Sequence, residues 1–179
     1  METNKPQLLK PAMNYGAITG LVMVVYSLVL YFTGLYLMSF KAVIDIVILS
    51  ACIFISQKVY RDKELGGIMN YQQALGFGVL VGVFAAIILG FFSFIEIKFI
   101  DPTIIDKQLE LVQQKYLESG ISEEQVEKMM VMAKKWSTPG IMFAGAIFSY
   151  AFYAFIITLI TSIFSRKEGN PFQQSNTAE

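Results

Sequence analysis

Three long stretches of the chain, residues 11–40, 65–95 and 136–165, contain no charged side chain. An α-helix rises about 1.5 Å per residue, so roughly 20 apolar residues cross a bilayer core about 30 Å thick. A chain of 179 residues has too little remaining surface to cover three such helices on every side. The pattern therefore predicts membrane spans at approximately residues 15–33, 71–96 and 139–164.

A fourth span is predicted at residues 42–58, although this segment is short and contains Asp45. A carboxylate at the centre of a span costs roughly 2.5 to 3.5 kcal/mol, which is enough to cancel the gain from a short span. Asp45 lies near the start of the segment, however, and Lys41 stands four residues before it on the same helix face. The apolar residues that follow then favour insertion.

Between the third and fourth spans the pattern changes to that of an amphipathic helical hairpin, predicted over residues 101–136. Asp101 and Pro102 are typical of a helix start, and Gly120 is typical of a helix end. Ser122 with Gln125 indicates a capping box for a second helix. Residues 168–179 are polar and are predicted to form a disordered tail. The fold class is accordingly all-α, a polytopic membrane protein with a single membrane domain.

A stripe of small residues recurs at every fourth position of the third span. Positions four apart share one helix face, so this face lets another backbone approach closely. We expect the stripe to pack against another helix of the same chain, with a second copy as the alternative. Its members are Ala74, Gly78, Gly82, Ala86 and Gly90.

Asp45 and Glu96 are the carboxylates inside or beside the predicted spans, and alternating helix direction brings both to the same membrane side. They are therefore candidates for a shallow ion or proton site. The ordinary structural explanation pairs Asp45 with Lys41 and leaves Glu96 at the interface beside Lys98. We favour that explanation from the sequence, because neither carboxylate lies at mid-membrane depth.

The amino-acid composition further limits the kinds of catalytic and metal-binding site that the chain can form. The chain is 55% hydrophobic and 16% charged, carries no net charge, and contains one cysteine and no histidine. Ser-His-Asp triads, histidine proton relays and classical zinc sites are therefore excluded. We expect no catalytic, metal-binding or cofactor-binding residues, no cofactor, no enzymatic activity and no nucleic-acid partner. The expected partners are the lipid bilayer and either a second copy or another membrane protein.

Positive charges predict the orientation of the chain. Lysine and arginine counts tie at seven on each side of the predicted spans. The lysines and arginines at the two termini and between the second and third spans lie in short segments beside the spans. Most of those on the other side are spread through the longer segment between the third and fourth spans, which also contains seven acidic residues. The positive-inside rule then places both termini in the cytoplasm.

Several short motifs resemble one known family. Asn-Tyr-Gly opens the first span at Asn14, Tyr-Arg-Asp and Gly-Gly precede the third, and Tyr-Gln-Gln-Ala-Leu-Gly-Phe-Gly begins at Tyr71. Together with Asp-Pro at Asp101 and Ser-Thr-Pro at Ser137, they resemble domain-of-unknown-function family 4199. The resemblance implies a small four-span protein of the bacterial inner membrane, and it implies no functional residues.

Three functions follow as hypotheses, of which a membrane enzyme ranks lowest because the chain offers no histidine as a catalytic base. The first is a non-enzymatic structural or accessory membrane protein that acts through helix packing and its external hairpin. The alternative is a small transporter or ion- or proton-conducting protein that uses Asp45 and Glu96.

Overall fold

The structure, a computed structural model, describes residues 8–36, 38 and 40–167. The predicted tail at 168–179 lies outside the described residues. Within them the chain forms six α-helices and one π-helical turn, and no strand beyond an isolated bridge between Met69 and Lys167. The helices are α1 (Leu9–Phe32), α2 (Lys41–Glu64), α3 (Tyr71–Ile95), α4 (Ile104–Glu118), α5 (Glu123–Trp136) and α6 (Pro139–Ser165), with the π turn at Glu96–Ile100.

Four of these helices are long and apolar enough to cross a membrane. They are α1, α2, α3 with its π turn, and α6, and their most apolar segments have mean hydropathies between 1.8 and 2.6. The predicted all-α fold with four membrane-spanning helices is confirmed. The weakest of the four predictions, at residues 42–58, corresponds to a helix of 24 residues.

The helix ends differ from the sequence expectation at several points. The first helix begins at Leu9, so Asn14 lies inside it rather than at its start. The second continues to Glu64 through the charged residues that were expected to connect two spans. Lysine, arginine and glutamate are good helix formers, and the helix ends only before Gly66 and Gly67, whose φ angles of +65° and +88° suit glycine.

Two predicted helix caps are wrong. Ser122 precedes α5 but makes no side-chain cap hydrogen bond. Asp101 does not cap α4 directly, because the helix starts at Ile104 and Asp101 accepts hydrogen bonds in the turn before it. The capping box occurs instead at α3. There the Asn70 side chain accepts from the Gln73 backbone N–H at 2.9 Å, and the Gln73 side chain accepts from the Asn70 backbone N–H at 3.0 Å.

Helix α3 is the centre of the bundle and packs most extensively against α6 and α1. A methyl group added at Gly16 of α1 would lie 2.5 Å from Phe84 Cβ, and one at Gly20 would lie 2.9 Å from Ile88 Cβ. Residue numbers therefore increase in the same direction along both helices, which shows that α1 and α3 run parallel. Helix α6 runs antiparallel to α3, and the end of α3, the start of α2 and the start of α6 therefore meet at one end of the bundle.

Candidate functional site

A cavity of about 160 Å³ lies at that end of the bundle, and both candidate carboxylates line it. Asp45 reaches it from the second turn of α2, and Glu96 from the first residue of the π turn. Polar side chains from all four membrane helices contribute to its wall. They include Tyr26, Lys41, Asp45, Ser93, Glu96 and Tyr150. The structure thus brings together the two residues that sequence reasoning could only place on one membrane side.

Asp45 is only partly neutralised by its partner. Lys41 Nζ lies 2.7 Å from Asp45 Oδ2, and the two side chains are 26% and 15% exposed, respectively. The other carboxylate oxygen, Oδ1, is buried and has no hydrogen-bond partner among the described residues. The ion pair expected from the i, i+4 spacing is therefore present, but it leaves one oxygen of the carboxylate available to a ligand.

A second unpartnered group lies in the same wall. The hydroxyl of Tyr26 is buried and makes no hydrogen bond to the described residues. A buried polar group without a partner typically costs about 1 to 3 kcal/mol. A polar or charged guest in the cavity would recover part of that free energy. Tyr26 can either donate or accept, whereas the ionised Asp45 oxygen can only accept.

Glu96 begins a segment with unusual backbone geometry. The N–H of Asp101 donates to the Glu96 carbonyl at 2.9 Å, five residues back, so α3 ends in a π-helical turn. Turns of this kind occur at the C-terminal ends of helices. This one places Glu96 at the junction between α3 and the segment that leads to α4.

The first turns of α4 close the cavity from outside. Ile104, which is buried, and Gln108 line it together with Tyr36 from the α1–α2 connection. Asp101 holds this region in place, since its carboxylate accepts from the Thr103 backbone N–H at 3.0 Å and from Lys107 Nζ at 2.8 Å. The hydrogen bonds from Lys107 and Thr103 hold the pKa of Asp101 below its usual value.

An apolar cavity of about 260 Å³ adjoins the polar one. Asp45 and Tyr150 line both, and the remaining wall comes from α2 and α6. Ile46 and Tyr153, which line the apolar cavity, are 41% and 49% exposed on the side where lipid would lie. Asp45 and Tyr150 therefore lie between the polar cavity inside the bundle and the apolar cavity on its outer side.

The small-residue stripe of α3 lies against other helices of the same chain. All five members are buried. A methyl group at Gly82 would overlap Ala154 Cβ, and one at Gly90 would overlap Ile147 Cγ1. The stripe is therefore occupied by α6 within one copy, and it offers no open face to a second copy.

Gln57 was missed by sequence reasoning, which singled out no residue at this end of the second span. It is fully buried, and its Nε2 donates to the Ala74 carbonyl of α3 and to Ser162 Oγ of α6, both at 3.0 Å. A Cβ at Gly78 would lie 2.7 Å from this nitrogen. The side chain therefore joins three helices, and the glycine in the stripe makes room for it.

Tyr26 and Tyr150 were also missed as site residues. Each lies in a long apolar run that contains other tyrosines, so its spacing does not distinguish it. Only the packing of α1 and α6 brings the two side chains to the cavity that Asp45 and Glu96 line. Among the described residues, no group of three or more cysteine, aspartate or glutamate side chains could hold a metal ion.

Fold and cavity together define a polytopic helical membrane protein with a polar cavity at one end of its bundle. The family described as "Protein of unknown function (DUF4199)" matches residues 14–167, and the chain belongs to that family. No curated protein and no solved structure matches the chain.

Proposed function

We propose that this protein is a small ion- or proton-handling membrane protein, and that Asp45 and Glu96 form its binding site. The observation that carries the proposal is the shared cavity, which two carboxyl groups line, together with one buried oxygen of Asp45 that has no hydrogen-bond partner among the described residues. Carboxylates inside membrane proteins are costly, and they commonly mark ion or proton pathways.

The charges of the cavity suggest how binding would work. Lys41 balances Asp45 when no cation is bound, and Glu96 supplies a second carboxyl group in the same wall. An entering cation would interact with Asp45 Oδ1 and Glu96 without first breaking the contact between Lys41 Nζ and Asp45 Oδ2. A proton could be taken up by either carboxyl group. The proposal includes no enzymatic activity and no cofactor.

Flux measurements in reconstituted vesicles test this function. Asp45→Asn and Glu96→Gln remove the negative charges while keeping the size of the side chains. We expect each substitution to reduce proton or monovalent-cation flux by about tenfold or more. A tenfold change corresponds to the loss of one interaction of about 1.4 kcal/mol. Glu64→Gln is the matched control, because Glu64 is an exposed carboxylate at the other end of α2. Flux that is unchanged in both cavity variants, with thermal stability preserved, would contradict the proposal.

A non-enzymatic accessory role is the second candidate, and the α4–α5 segment favours it. This segment exposes apolar side chains outside the bundle, including Val112 and Leu117 of α4. A partner protein could cover them. Cross-linking of the purified protein in detergent and in native membranes tests the idea. A partner joined specifically through α4 supports the role, and the absence of any joined species counts against it.

We further propose that the protein resides in the bacterial inner membrane with both termini in the cytoplasm. The family resemblance and the dense positive charges beside the spans support this location and orientation. The polar cavity would then open on the side away from the cytoplasm.

A further inference from the structure

We propose that the exposed face of α5 lies on the surface of the bilayer and contacts anionic lipid headgroups. Four large apolar side chains of this helix are left uncovered by the rest of the chain. Met129, Val131, Met132 and Trp136 are 40%, 68%, 65% and 63% exposed, respectively. None of them lines the Asp45–Glu96 cavity, and the inference does not depend on the proposed function.

Three of these side chains form one stripe. At about 100° per residue Met129, Met132 and Trp136 fall within roughly 60° of one another around the helix axis. Val131 lies about 100° from Met132 in the other direction around the helix. Val126, which is 1% exposed, lies about 120° from Met132 and belongs to a covered side of α5. The stripe of Met129, Met132 and Trp136 is therefore part of the uncovered side.

The position of α5 along the chain places this stripe close to the membrane. The helix ends at Trp136, and the membrane helix α6 begins at Pro139. Three residues span at most about 11 Å, so the end of α5 stays within that distance of the start of α6. Tryptophan is enriched at membrane–water interfaces, because its ring is apolar and its N–H is polar.

Two lysines flank the stripe. Lys128 and Lys135 lie about 40° and 60° from Met132 around the helix, and Glu124 lies about 80° away on the same side. Glu123 and Glu127 lie about 180° and 140° away. Lys128 does contact Glu124 at 2.6 Å, but both side chains are more than 70% exposed, and such surface pairs contribute little. Where the leaflet that α5 faces carries anionic lipids, each lysine near its surface contributes about 1 kcal/mol.

The single tryptophan of the chain makes the inference testable in the full-length protein. In a Trp136→Phe background, Met132→Trp reports on the stripe, and Glu127→Trp is the matched control on the opposite side of the same helix. Each variant is reconstituted into vesicles of phosphatidylglycerol and brominated phosphatidylcholine. We expect bromine to quench Met132→Trp several-fold more than Glu127→Trp, and aqueous iodide to show the reverse order.

Two results would overturn the proposal. Equal quenching of the two variants by brominated lipid would mean that the stripe faces water. Protection of Met132→Trp from both brominated lipid and iodide would mean that protein covers it, which would favour a second copy or the accessory role instead. Both results would leave the flux experiments on Asp45 and Glu96 unaffected, so the two proposals fail separately.

Discussion

Gly82 shows how a single missing side chain determines helix packing in this bundle. It lies opposite Ala154 of α6, and a methyl group at this position would overlap Ala154 Cβ. Lipid tails are as apolar as leucine, so helices in a bilayer associate through close packing rather than through the hydrophobic effect. Each added methyl group in this contact therefore acts directly on stability.

We expect Gly82→Ala to lower the free energy of unfolding by about 1 to 3 kcal/mol, the usual cost of overfilling a packed contact. Thermal unfolding in detergent measures the effect. Gly76→Ala in the same helix is the control, because the nearest atom to its added Cβ is Leu8 Cδ2 at 4.0 Å. Adding Ala154→Gly to Gly82→Ala should restore most of the loss. A Gly82→Ala variant as stable as Gly76→Ala would contradict this account.

Asp45 shows what the spacing of two residues along a helix can and cannot predict about a site. Its spacing from Lys41 correctly indicated an ion pair, which is present at 2.7 Å. The same spacing carried no information about the second carboxylate oxygen, whose burial depends on α1, α3 and α6. The candidate site at Asp45 and Glu96 remains a prediction, and the shared cavity is the reason to test it.

At the scale of elements, helix ends were the least predictable feature. Asn70 and Gln73 form a reciprocal cap on α3, whereas Ser122, in a sequence that resembles a capping box, makes no cap hydrogen bond. Capping residues satisfy backbone N–H groups that have no partner within the helix. Whether a suitable side chain turns toward those groups depends on its rotamer and its neighbours, which the sequence pattern does not specify.

Substitutions at Asn70 and Ser122 test this difference in capping directly. Asn70→Ala should destabilise the protein by about 1 kcal/mol, because it removes a cap hydrogen bond at 2.9 Å. Ser122→Ala should change stability by less than half of that, within the usual range for a surface substitution. Urea or thermal unfolding of both variants under identical conditions compares them. Equal losses at the two positions would show that the cap at Asn70 has no special contribution.

At the scale of the whole molecule, four membrane-spanning helices place the start of α1 and the end of α6 on the same side. The bridge between Met69 and Lys167 joins the α2–α3 connection to the end of α6 at that side. The α4–α5 segment follows α3 at the other end, where Ile104 and Gln108 of α4 line the polar cavity.

Orientation follows as a prediction for the whole chain. In a Cys52→Ser background, Lys63→Cys should react with an impermeant thiol reagent only from the cytoplasmic side, and Lys115→Cys only from the opposite side. Both lysines are exposed, and Cys52 is the single native cysteine. Labelling of intact cells and of inverted membrane vesicles provides the comparison. The reverse pattern would show that the positive-inside argument assigned the wrong side.

The sequence alone determined the class of protein, the number of spans and the family. Three of the spans depend on local quantities, namely the length of charge-free runs and the 1.5 Å rise of a helix. The second span also depended on the position of Lys41 and Asp45 near its start, and the family depended on short motifs. Spacing within one helix likewise predicted the small-residue stripe and the Lys41–Asp45 pair.

The tertiary structure determined which helix faces pack against one another. It placed the stripe against α6, brought Tyr26 and Tyr150 to the cavity, and buried Gln57 between three helices. These contacts join residues up to 105 positions apart, and they depend on the rotation of each helix about its axis. Hydropathy specifies that a helix inserts, but packing against its neighbours sets its rotation. The cavity exists only because four separately predictable helices adopt one particular set of rotations.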